Sequence, residues 1–169
     1  MIRVKICCIS DPNEARLAIS MGASAVGLVG PMPGGPGVIT DEQIAAIAKT
    51  VPLPIATFLL TSETDAEQII AHQRRVHTST IQLVDSLQAG QYGKIRAALP
   101  GIWLVQVTHV IDEKSVGEAL SIAPHVDALL LDSGNPNLAV MGDTGRVHNW
   151  VLSRQIREQL PVPIFLAGG

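Results

Sequence analysis

The chain has 169 residues, 47% hydrophobic and 3% aromatic, with a formal net charge of −3 and a pI near 5.9. That length and apolar content suffice for one domain with a substantial core. The acidic balance leaves no basic footprint for nucleic acid or an anionic membrane, and the scarcity of aromatics leaves no stacking platform for bases or sugars. The longest apolar runs, such as Ala128-Leu129-Leu130-Leu131, are far too short to span a bilayer. Asp11 and Glu14 interrupt any signal-peptide-like stretch at the start. Two adjacent cysteines make no disulfide framework and point to a reducing, cytoplasmic setting.

In chain order, Val4-Lys5-Ile6-Cys7-Cys8-Ile9-Ser10 reads as a buried parallel strand, and Ser10-Asp11-Pro12 supplies an N-cap and a first-turn proline. Helical spacing then runs from Asn13 to Met21, closed by Gly22. Ala25 to Val29 is the second strand, followed by a loop rich in glycine and proline, Gly30 to Gly37. Thr40 with Gln43 forms a capping box for a helix that Val51-Pro52 ends. Pro54 to Leu60 is the third strand, and Ser62 or Thr64 caps a helix reaching about Arg74. Thr80 to Val84 is the fourth strand, Gly90 to Leu99 a helix, and Ile102 to Val107 the fifth strand. Asp112 opens a helix to about Ile122, and Val126 to Leu131 is the sixth strand, ending on Asp132. A polar loop, Ser133 to Arg146, leads to a helix around Trp150 to Leu160 and a seventh strand, Ile164 to Ala167, before Gly168-Gly169.

Strands alternating with helices define an α/β protein with a parallel sheet. A doubly wound dinucleotide fold carries G-x-G-x-x-G after its first strand, and neither that motif nor G-x-x-x-x-G-K-[ST] is present. A (β/α)8 barrel fits better, with seven strands and six helices predicted in residues 1–169 as a single domain. Such barrels need about 200 residues or more. The expectation is therefore a barrel whose C-terminal part, one helix, one strand and a final helix, lies outside this chain.

In a strand–helix repeat the active site gathers where strands end, so Cys7 and Asp132 are candidates for chemistry. The plainer alternatives are a small core cysteine and a helix-capping or loop aspartate. Gly168-Gly169 offers backbone N–H groups to a phosphate, or serves as an ordinary turn. Lys5 shares a strand face with Cys7, where it would lower the thiol pKa unless it reaches solvent from the barrel end. His109 either faces the barrel mouth or sits in a solvated loop. The five histidines show no ligand spacing with the cysteines, so no metal is expected. Arg74-Arg75 reads as a solvated helix end.

Several of these segments, taken in order, resemble phosphoribosylanthranilate isomerase, a tryptophan-pathway enzyme. Val4 to Ser10 resembles the family's opening K-[IV]-C-G-[IL]-[ST], and Met21 to Gly27 its G-A-D-A-[IL]-G segment. Gly35 to Thr40 lies where S-P-R-x-[IV]-[ST] is expected, and Ile81-Gln82-Leu83 falls on V-Q-L-H-G. Leu131-Asp132-Ser133 and Gly142 to Arg146 fall on L-D-[ST] and G-G-T-G-K, Asn149-Trp150 on D-W, and Phe165 to Gly169 on L-A-G-G-L. The resemblance implies an Amadori rearrangement of N-(5′-phosphoribosyl)anthranilate without a cofactor. It assigns Cys7 as base, Asp132 as acid, Gly168 and Gly169 to phosphate, and Gln82 and Arg146 as further substrate contacts. Its partner is a small phosphosugar, and the oligomeric expectation is a monomer or homodimer.

The departures from the family's pattern fall on recognition positions. Cys8 replaces its glycine, Gly37 the arginine expected to grip the anthranilate carboxylate, Val84-Asp85 its His-Gly, Asp143 a glycine and Arg146 a lysine. These leave two alternatives, a paralogue acting on another phosphosugar and a non-catalytic barrel that binds one. They also imply that restoring an arginine at 37 would strengthen turnover of the anthranilate substrate, with Arg146 as the substitute cation.

Overall fold

Each stretch of alternating or continuous apolar residues forms one strand of a single parallel sheet in the computed structural model, which describes residues 2–133 and 148–168. The strands are β1 (Lys5–Ile6), β2 (Ala25–Val29), β3 (Ala56–Thr61), β4 (Thr80–Leu83), β5 (Trp103–His109), β6 (Ala128–Asp132) and β7 (Ile164–Ala167). Between them lie α1 (Pro12–Ser20), α2 (Asp41–Thr50), α3 (Ala66–Val76), α4 (Ala89–Ala98), α5 (Lys114–Ile122) and α6 (Trp150–Gln159). The strands pair in sequence order, every neighbour parallel, as the repeat of strand and crossover helix requires. The sheet curls around one cavity whose lining draws on β1 and β7 as well as the strands between. This is the seven-stranded (β/α) barrel architecture expected from the pattern.

The pleat sorts side chains into two cores. Ala25, Val29, Phe58, Leu60, Val84, Val105, Val107, Ala128 and Leu130 pack together inside the curl. Their strand neighbours point the other way: Val26, Leu28 and Leu59 pack with α2, and Ile81, Leu83, Leu104, Leu129 and Leu131 with α3 to α6. Each such aliphatic side chain contributes about 1.5–3 kcal/mol when fully buried.

Local chemistry sets most helix starts. Asp11 accepts from Asn13 and Glu14 N–H at the head of α1, and Thr40 and Gln43 form the expected capping box on α2. The cap of α3 is Asp65 and not Ser62 or Thr64, because the turn leaving β3 uses that segment, with Thr61 Oγ1 accepting from Glu63 N–H at 3.3 Å. β1 is only two residues long, since Cys8 adopts a left-handed φ of 61° that ends the extended backbone, and Ile6 is exposed rather than buried. β5 runs on to His109 because its pairing with β6 continues to the His109–Asp132 register. Arg75 is not simply solvated: its Nε donates to Asp41 Oδ2 at 2.6 Å, bracing α3 against α2.

One buried polar group ties a barrel rim to the helix layer. Gln106, fully buried, donates through Nε2 to the carbonyls of Leu83 and Asp85 at 3.0 Å and accepts at Oε1 from the Tyr92 hydroxyl at 2.8 Å. Replacing it with a shape-matched apolar residue strands those partners without water. Gln106→Leu is expected to cost about 1–3 kcal/mol, read as a lowered urea midpoint with an unchanged slope.

Candidate active site

Period-two alternation along parallel strands places Lys5 and Cys7, Gln82 and Val84, Val107 and His109, Leu130 and Asp132, and Phe165 and Ala167 on the inner face, and all ten line one cavity of about 890 Å³. Its charged or titratable lining groups include Arg3, Lys5, His109 and Asp132. The rim is reached at Cys7, just past β1, and at Asp132, the last residue of β6. The two sequence-predicted acid–base candidates thus face the same space.

Cys7 sits in a built setting. Gly27 on β2 makes room for it, since a Cβ there would lie 2.8 Å from Cys7 Sγ. Lys5 Nζ donates to Cys7 Sγ at 3.0 Å and to Gln82 Oε1 at 2.7 Å, and stands 5.0 Å from the centroid of the Phe58 ring. Lys5 therefore turns inward and does not reach for solvent. Gln82, assigned to substrate by the resemblance, is buried and presents its carbonyl oxygen to Lys5.

Asp132 pairs in register with His109 on β5 and Ala167 on β7. His109 Nδ1 lies 4.0 Å from Asp132 Oδ2, so His109 faces the barrel mouth and is not a solvated loop residue. Gly168 follows β7 with a left-handed φ of 83°, and a Cβ there would collide with Ser133 Oγ and stand 2.7 Å from Asp132 Oδ1. The glycine expected to meet phosphate is thus packed directly against the candidate acid, and only glycine fits. Arg146 and Gly169 lie outside the described residues.

Sequence reasoning missed Phe58 beneath Lys5 and Gly27 beside Cys7. The signal for both was present in strand parity: each occupies an inward position once β2 and β3 are placed in register.

No family model matches the chain. It is 30% identical over 169 residues to N-(5′-phosphoribosyl)anthranilate isomerase 2 of Methanosarcina mazei, covering 99% of this chain and 75% of that protein. It is 31% identical to the N-(5′-phosphoribosyl)anthranilate isomerase of Nostoc punctiforme, covering 99% of this chain and 78% of that protein. The chain belongs to the phosphoribosylanthranilate isomerase family. The fold agrees: the crystal structure of the Thermotoga maritima phosphoribosylanthranilate isomerase superposes with a TM-score of 0.84 at 24% identity, covering all of this chain and 78% of that one.

Two departures from the family pattern prove to be one. A Cβ added at Gly37 would stand 2.6 Å from Cys8 Cβ and 3.0 Å from its Sγ. Cys8, where the family has glycine, fills the space that the first atom of a side chain at 37 needs, and its Sγ contacts the Pro36 carbonyl at 3.5 Å. Both residues have left-handed backbone, φ 61° at Cys8 and 74° at Gly37. Val84 lines the cavity and Asp85 does not, so the acidic residue of that pair is not part of its wall.

An arginine therefore cannot simply be restored at 37. Gly37→Arg alone should destabilise the protein, paying both the clash with Cys8 and about 1–2 kcal/mol for left-handed backbone. In Cys8→Gly/Gly37→Arg only the backbone part remains. Urea unfolding of the two single variants and the double should give a coupling of about 1 kcal/mol or more; additive effects would contradict the contact.

Proposed function

We propose that the chain isomerises N-(5′-phosphoribosyl)anthranilate to its 1-deoxyribulose 5-phosphate product by general acid–base catalysis, as a cytoplasmic enzyme of tryptophan biosynthesis acting as a monomer or homodimer. The observation that carries this reading is the convergence of Cys7 and Asp132 on one cavity at the ends of parallel strands, in a chain of this family. Asp132 in its acid form gives a proton to the furanose ring oxygen as the C1–O bond breaks, leaving an iminium at C1. Cys7 as thiolate takes the proton from C2, and the electron pair moves to neutralise the iminium, giving an enolamine that tautomerises to the aminoketose. The chemistry needs one proton donor and one acceptor on different parts of the sugar, and two separate strand ends supply them.

Gly168 is assigned to the phosphate through its backbone N–H, at a left-handed turn packed against Asp132 and Ser133. The cation Lys5, beside Cys7, suits a cavity that receives an anionic substrate. Without an arginine at 37, the reading has one specific rival: a phosphosugar whose nitrogen substituent lacks a carboxylate. Gly37 is the observation that favours it.

Turnover of N-(5′-phosphoribosyl)anthranilate, followed by loss of its fluorescence, is the test. Cys7→Ser and Asp132→Asn should each lower kcat by about 100-fold or more while leaving the unfolding midpoint near that of the parent. Activity preserved in either variant would remove that residue from the mechanism. An inactive parent stabilised thermally by simple sugar phosphates would favour the non-catalytic alternative.

A further inference from the structure

We propose that Lys5 is a positioning residue that holds Cys7 as its thiolate, and that the side chains of Gln82 and Phe58 exist in this site to fix the ammonium against the sulfur. The proposal deepens the assignment of Cys7 as base and rests on it for its catalytic consequence.

An ammonium has three donors and no acceptor, so sulfur must be the acceptor in the 3.0 Å contact. That contact strengthens when the sulfur is negative and is lost to mere dipole attraction when the thiol carries its proton. Lys5 cannot easily leave. Its second donor is committed to Gln82 Oε1 at 2.7 Å, and its positive charge lies 5.0 Å from the Phe58 ring centroid. Phe58 is in turn held edge-on by Phe165 on β7, with ring centroids 5.6 Å apart and planes at 78°. Gln82 and Phe58 are both buried. Four strands thus converge to place one cation, which the packing of an ordinary lysine does not require.

Among the described residues, other charged or titratable groups share the surroundings of Cys7. Arg3, His109 and Asp132 line the same cavity, and Cys8 adjoins Cys7 in the chain. Glu14 lies on the α1 side, where its carboxylate accepts from Ser10 N–H at 2.7 Å and Ser10 Oγ at 2.8 Å. Lys5 is in direct hydrogen-bond contact with the sulfur. Burial pushes the Cys8 thiol up, the adjacent Cys7 adds to this, and Lys5 opposes it.

The test titrates Cys7 directly and needs no substrate. In a Cys8→Ser background, with only two cysteines in the chain, ultraviolet thiolate absorbance against pH reports Cys7 alone. Burial pushes the single tyrosine, Tyr92, up, and its tyrosinate band at longer wavelength is followed separately. Lys5→Met should raise the midpoint by about one pH unit or more, and Lys5→Arg should restore much of the difference. Gln82→Leu, which keeps the charge but frees it, should move the midpoint the same way by less. In turnover, kcat of Lys5→Met should fall more at pH 6 than at pH 9, whereas a merely structural role would depress both alike. An unchanged midpoint in either Lys5→Met or Gln82→Leu, with circular dichroism intact, would overturn the proposal. Should Cys7→Ser keep full turnover while the midpoints still move, Lys5 controls the thiol as proposed and the assignment of Cys7 as base is what fails.

Discussion

Parallel pairing with side chains alternating every second residue is the constraint on which the site depends. Because β5, β6 and β7 pair through His109, Asp132 and Ala167, the inward residues of three strands finish at one level. β1 delivers Lys5 and Cys7 to the same cavity from the far side of the curl. A slip of one residue in any of these ladders would turn its inward side chain into the helix layer. The apolar neighbours of Asp132, Leu129 and Leu131, are fully buried against helices and resist that slip.

A sheet buried on both faces favours polar groups that are matched, and two of this protein's are matched closely. On the helix side, Gln106 spends its amide on carbonyls of the β4 rim and its oxygen on Tyr92. On the inner side, Lys5 carries a full charge into an apolar curl and finds sulfur, an amide oxygen and an aromatic face. These contacts fix the ammonium beside the thiol.

The Cys8–Gly37 contact changes how divergence from the family is understood. Position by position, Cys8 and Gly37 look like two independent departures from the family pattern. In space they are one contact, since the Cys8 side chain lies where a Cβ at 37 would stand, within 3 Å. In a close-packed loop, adding volume at one of the two positions without removing it from the other forces the backbone to move.

Local signals determined much of the architecture. The β2 and β7 strands, the Thr40–Gln43 capping box and the closure of α1 at Gly22 all follow from chemistry within four or five residues, and each appears as the pattern predicts. The inward position of Cys7 and Asp132 was also legible, because strand parity and strand ends are properties of the chain itself. Only the tertiary structure decided what those residues touch. Lys5 meets Gln82 across 77 positions of sequence, Cys8 blocks Gly37 from another loop, and Gly168 abuts Asp132 from the next strand. The choice of Asp65 over Ser62 or Thr64 as a cap likewise depended on how β3 leaves the sheet. Such contacts depend on register and on the curl that brings β1 toward β7, and neither is encoded in any short window of the chain.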